Sequence, residues 1–186
     1  MVDLLQRQAA PGGMTTNGPG PTFPAEIERI FREFRCAEMA TIAKDGTPLA
    51  WPIVALYRPQ RGCFVTTTSI ALPQKAYTIR RNGKVSLLFS DRTGSGLDRS
   101  AAVLVQGEAR VAKEVATWND DLRDLWQLLA VRQPASNVFS SNAVMRWLMP
   151  WYYMRLVITI VPFRARYWAD GDFAQVAKEL EVQHVG

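Results

Sequence analysis

The chain has 186 residues, 48% of them hydrophobic and 21% charged, which is enough for one domain with a sizeable core. Its net charge of +5 suits nucleic acid, an anionic surface or a small anionic ligand, and by itself selects none of them. Cys36 and Cys63 are the only cysteines and His184 the only histidine, so a zinc site of Cys and His donors lacks its ligands, and a Ser or Cys nucleophile lacks a histidine base outside the tail. The two cysteines are expected to be free buried thiols of a reduced, cytoplasmic protein.

Residues 1–23 are rich in Gly, Pro, Thr and Asn and lack both the basic start and the sustained apolar core of a secretory signal. They read as a flexible arm, and residues 24–186 as a single domain. From Pro24, the stripe Ile27, Ile30, Phe31, Phe34 predicts a helix reaching Arg35. EMATIAKDGTPLAWPIVALYRP predicts two strands joined at Lys44-Asp45-Gly46, and Gly62 to Ser69 a third. Pro73 opens a short helix that Asn82-Gly83 stops, and Lys84 to Ser90 is a fourth strand. After a Gly/Ser/Asp loop, AAVLVQGEARVAK alternates as a fifth.

A helical insertion is expected at about 115–150, with a helix from Val115 to about Arg132 and a short amphipathic piece around Ala143 to Met149, before a final strand from Tyr152 to Ala169. Arg146, Pro150 and Arg155 interrupt the apolar stretch near 143–163, which leaves no run of ~20 apolar residues and favours an interior or interface role over a membrane span. The resulting fold class is mainly β, a six-stranded antiparallel barrel with helical trim, since closure removes exposed strand edges. Neither a Gly-x-Gly-x-x-Gly run nor a phosphate loop occurs, so a doubly wound nucleotide fold is not expected.

Chemistry concentrates between Trp51 and Ser90, where no Asp or Glu occurs beside Arg58, Arg61, Lys75, Arg80, Arg81 and Lys84. Lys75 falls in the first turn of the second helix, where the macrodipole disfavours a cation unless an anion is bound. Thr66 and Thr68 point one way from an extended chain and Thr67 and Ser69 the other, so one pair can offer hydroxyls to that anion. The alternative is that threonine simply favours strands. Arg80 and Arg81, at the far end of the helix, either join the ligand or serve the helix C-terminus. Trp51 precedes Pro52, which has no ladder donor, and Trp168 ends the last strand; a planar ring could lie on either indole, or both could pack in the core.

In order, ATIAKDGTPLAWPIV, FVTTTS, PQKAYTIRRNGKVSLLFSD and VLVQGEARV resemble the pyridoxamine 5′-phosphate oxidase-like split-barrel superfamily, in particular its flavin- and deazaflavin-dependent branch. The resemblance covers about Phe31 to Lys113. It implies a homodimer of six-stranded split barrels, with a phosphorylated flavin at the interface and oxidoreductase chemistry on a small organic substrate, with a nicotinamide as the donor to be tested. On this resemblance Trp51, Pro52, Ile53 and Val54 line the ring system, and Thr66, Thr67, Thr68 and Ser69 reach its edge, ribityl chain or phosphate. Lys75 holds the phosphate with Arg80 or Arg81, and Gln106 approaches the ring across the dimer.

True pyridoxamine 5′-phosphate oxidases place an Arg before a Val-Leu-Leu-Lys run where this chain has Trp51-Pro52-Ile53-Val54-Ala55-Leu56, a departure that speaks against the vitamin B6 reaction. FMN is the first expectation for the cofactor. The deazaflavin coenzyme F-420 is the alternative, its tail meeting Lys75, Arg80, Arg81 and Arg58. A non-catalytic flavin or haem carrier or sensor is a further reading, and a nucleic-acid binder another, disfavoured because the cations gather beside one turn instead of along a track. No metal is expected.

Overall fold

The computed structural model describes residues 23–90, 101–132 and 154–182. Most of the arm and the piece around Ala143 to Met149 lie outside them. Helix α1 (Ala25–Glu33) is followed by strands β1 (Ala37–Ile42), β2 (Pro48–Ile53) and β3 (Leu56–Arg58), then a single 3-10 turn and β4 (Cys63–Ser69). Helix α2 (Gln74–Arg81) leads to β5 (Lys84–Phe89) and β6 (Ala102–Val111), helix α3 (Asp120–Arg132), the long β7 (Arg155–Trp168) and β8 (Lys178–Leu180). Among the described residues no helix is long and apolar enough to cross a membrane.

All pairings are antiparallel, and the sheet runs β2-β1-β5-β6-β7-β4-β3, with β8 beside β7. Its two edges, β2 and β3, are consecutive in sequence and separated only by Val54 and Ala55. Three residue steps span at most roughly 11 Å, so the sheet must curl until its edges nearly meet. The result is a split barrel. The apolar pattern predicts β2 and β3 as one strand and leaves β8 out, so the six expected strands become eight. Pro52 is accommodated because β2 is an edge, where a missing donor leaves no gap in a ladder.

The β1–β2 hairpin forms at the expected turn. Gly46 adopts φ +88° there, Ala43 N–H donates to Thr47 O at 2.8 Å, and Thr47 N–H is held by Asp45 Oδ1 at 3.0 Å. Helix α1 plugs one end of the barrel with Ile27, Ile30 and Phe31, and Phe34 follows it. The Phe31 ring lies 4.8 Å from Phe64, 4.9 Å from Phe89 and 5.2 Å from both Tyr57 and Phe23, an aromatic cluster at the spacing where edge-on contacts are favourable. Phe23, counted with the arm in the sequence reading, is thus buried in this core.

A second, smaller cluster lies outside the barrel, where Leu122 of α3 packs on Cys63, Val65 and Val157. Period-two alternation puts Phe64 in the barrel and Cys63 and Val65 under α3. Cys63 is buried as expected, whereas Cys36 is only half-buried, and burial raises the pKa of both thiols.

Candidate functional site

The surplus of positive charge from Trp51 to Ser90 resolves residue by residue. Arg58 Nε lies 2.9 Å from Asp121 Oδ1 and its Nη1 2.7 Å from Asp124 Oδ2, while Arg61 Nη2 lies 2.6 Å from Asp121. The acids missing from the segment itself come from α3. Arg80 donates to Ala112 O and Arg81 to Ile42 O, each at 3.0 Å, so both exposed arginines tie α2 to its neighbouring strands. Lys84 is exposed at the start of β5. Lys75 alone among the six is half-buried with no ion pair or hydrogen bond of its side chain among the described residues.

Lys75 borders a cavity of about 620 Å³. Its walls are Trp51 to Val54 from the end of β2, Thr66 to Ser69 from β4, Ala71 to Gln74 from the turn into α2, Leu125 and Leu129 from α3, and Arg155 from β7. Among the described residues, two basic side chains and no carboxylate occur in that lining. Burial, and next the nearby Arg155 charge, lower the Lys75 pKa, which is what a cation without a counter-charge shows. The first-turn N–H groups of α2 face no intrahelical acceptor and lie at the same end of the helix.

The hydroxyls divide by what they already hold. Thr68 Oγ1 donates to Leu72 O at 2.7 Å and Ser69 Oγ accepts from Ala71 N–H at 3.2 Å, so these two shape the turn that carries Lys75. Thr67 is half-buried with no hydrogen-bond partner among the described residues, and Thr66 is buried. The Trp51 indole N–H donates to Thr41 Oγ1 at 3.1 Å, which fixes the ring against β1 and leaves its surface, not its polar edge, for a ligand.

The structure thus gathers Trp51, Pro52, Ile53, Val54, Thr66, Thr67, Thr68, Ser69 and Lys75 around one space. Arg80, Arg81 and Gln106 are not in its lining, and Gln106 sits in β6 between Ser86 and Arg164. Trp168 is likewise elsewhere, its N–H donated to Gln175 O at 3.1 Å and its ring 5.0 Å from Phe173. Sequence reasoning missed Arg155, Leu125 and Leu129. The first had a signal, an Arg interrupting an apolar run, but its value depends on which strand β7 pairs with.

A model of the pyridoxamine 5′-phosphate oxidase family matches residues 23–147, about two-thirds of the sequence. The chain belongs to that family. Solved structures share the fold. A conserved hypothetical protein of Mycobacterium tuberculosis is 22% identical, with a TM-score of 0.56 over 87% of this chain and 94% of its own. A haem-binding protein of Mycobacterium smegmatis is 14% identical at a TM-score of 0.53, covering 86% of this chain and 59% of its own. An FAD-binding protein of Mesorhizobium loti is 16% identical at 0.50, over 75% and 87%. No curated protein matches the sequence at a significant level. Similarity this low carries the fold of the pyridoxamine 5′-phosphate oxidase family and leaves the ligand to the residues of the cavity.

Proposed function

We propose that this protein is an oxidoreductase that holds a phosphorylated flavin, FMN, in the cavity, with the phosphate at Lys75 and the first turn of α2. The observation that carries the reading is Lys75 itself, a half-buried cation on a cavity whose described lining holds no carboxylate. A volume of about 620 Å³ is in the ordinary range of roughly 300–1,000 Å³ for cofactor sites. Thr67 would meet the polar chain, and Trp51, Pro52, Ile53, Val54, Leu125 and Leu129 supply flat and apolar walls for a ring.

FMN is favoured over coenzyme F-420 because Arg58 is committed to Asp121 and Asp124, and Arg80 and Arg81 to backbone carbonyls, which leaves those three engaged elsewhere when a polyglutamate tail would need them. A haem is disfavoured because the described lining contains no His, Cys, Met or Tyr to ligate iron. The flavin supplies hydride transfer. The chain orients it, excludes water behind α3 and stabilises its phosphate, so a single histidine in the tail is no obstacle.

The split barrel is proposed to act as a homodimer in a reduced, cytoplasmic setting, with a small organic substrate and a nicotinamide donor and without nucleic acid or membrane as partners. Leu72 at the cavity, 74% exposed, and Phe163 on β7, 50% exposed, are apolar surface that a second copy would cover. The deciding experiment is the absorption spectrum of the purified protein with a titration of FMN, riboflavin and F-420. A band near ~450 nm and preference for FMN are expected, and a preference for F-420 or haem overturns the assignment.

A further inference from the structure

Trp51 stands where two environments compete for one ring. It packs partly against the barrel core and also borders the cavity. Its strand, β2, is an edge bonded on one side only, and the next residue, Pro52, has no N–H to give. The ladder holds this backbone loosely, so the placement of the ring falls to its own contacts.

An indole has a single N–H, and that of Trp51 is donated to Thr41 Oγ1 at 3.1 Å. Thr41 lies on β1 opposite Leu49, and Trp51 lies opposite Met39, which makes Thr41 and Trp51 diagonal neighbours. Diagonal neighbours on an antiparallel pair are within reach of an aromatic side chain. Thr41 is fully buried, and a β-branched side chain is stiff at χ1, so the acceptor it offers has a fixed direction. The indole cannot turn toward the cavity without leaving its N–H unpaired. Once given to β1, that N–H is also withdrawn from any ligand. With Pro52, Ile53 and Val54 beside the ring, this wall presents flat and apolar surface, which suits the face of an aromatic ring better than a polar edge.

We propose that Thr41 is a positioning residue of the site: its hydroxyl locks the Trp51 indole and thereby sets the preference of the β2 wall for a flat aromatic ring. The inference rests on the flavin reading above only for the identity of that ring.

The test uses the full chain and its variants Thr41→Val, Thr41→Ser and Trp51→Phe, with FMN and with ribose 5-phosphate, which keeps the phosphate and lacks the ring. Valine matches threonine in shape and removes the acceptor, whereas serine keeps it. Thr41→Val should lose about three- to tenfold of FMN affinity and leave ribose 5-phosphate unchanged. Thr41→Ser should restore FMN to within about twofold of the parent, and Thr41→Val should cost nothing further in a Trp51→Phe background, because the two residues act as one unit. The indole N–H resonance of Trp51, identified by its loss in Trp51→Phe, should exchange slowly with water in the unliganded parent and in Thr41→Ser, and faster in Thr41→Val. An unchanged resonance in Thr41→Val overturns the inference, and so does an equal loss of FMN and ribose 5-phosphate or an additive loss in the double variant; each leaves the flavin reading standing. If the unaltered protein binds no flavin, the flavin reading fails by itself, and anilinonaphthalene sulfonate, a flat aromatic anion, becomes the probe. Weaker binding of that probe to Thr41→Val with recovery in Thr41→Ser then supports the inference, and equal binding by parent and Thr41→Val, or by neither, overturns it.

Discussion

Arg58 of β3 grips Asp121 of α3 at 2.9 Å, with side chains only 22% and 17% exposed, and so ties the helix that walls the cavity to the edge of the barrel. Arg58→Ala would leave Asp121 and Asp124 facing each other with, among the described residues, Arg61 and Arg123 in reach. We expect a stability loss of about 1–3 kcal/mol in denaturant unfolding, with weaker ligand binding because Leu125 and Leu129 lose their anchor. An unchanged midpoint and affinity would show that Leu122 alone holds α3.

Lys75→Ala should weaken FMN by about 1.5–3 kcal/mol, the usual worth of a hydrogen bond to a charged group, without unfolding the chain. Calorimetric titration checks this. Equal affinity in a folded variant would remove the phosphate from the first turn of α2.

Lys75 also predicts a pH dependence. Its folded pKa lies below the ordinary 10.5, so between those two values the unfolded chain binds more protons and stability rises with pH. Below the folded value the charged Lys75 is a standing cost. Lys75→Met should therefore be more stable than the parent near neutrality, and the gap should close as pH approaches 10.5. Unfolding curves of both proteins, without ligand, across the alkaline range would reveal a gap of the opposite sign if the ammonium were satisfied.

The double change Arg80→Ala, Arg81→Ala removes two exposed bonds to Ala112 O and Ile42 O. We expect a loss of about 1–2 kcal/mol of stability and FMN affinity within twofold of the parent. A strong, salt-sensitive loss of ligand would return these arginines to the site.

Gly107→Ala tests the closeness of β6 and β7 at their bulge. A Cβ there would sit 2.7 Å from Val161 O, a backbone atom that cannot swing away. A loss of about 1–3 kcal/mol is expected, read as a lowered unfolding midpoint.

Local signals were legible in the sequence where the physics is local. The Asp45-Gly46 turn, the Ile27/Ile30/Phe31 stripe and the Pro73 start of α2 each appear within a residue or two of expectation. The break at Val54-Ala55 was not legible, because VALY is as apolar as a continuous strand and only the pairing of β2 with β1 and of β3 with β4 divides it. In the site, the segment from Trp51 to Lys75 carried its own chemistry. Arg80 and Arg81 looked alike in charge and helix position, yet their acceptors are carbonyls 32 and 39 residues away, beyond what spacing reports. Arg155 needed the register with Ser69, which exists only once the sheet is assembled.

The crossing at Val54 and Ala55 has a meaning for how such a site changes over time. Neither residue belongs to a strand, and β2 is bonded on one side only, so this wall stands where the sheet carries the fewest ladder bonds. A substitution at Pro52 or Val54, which stand outside that core, reshapes the ligand's surroundings while the Phe31, Phe64 and Phe89 cluster inside the barrel keeps its packing. Ligand preference and foldability are thereby written in different residues, and one can drift while the other is held.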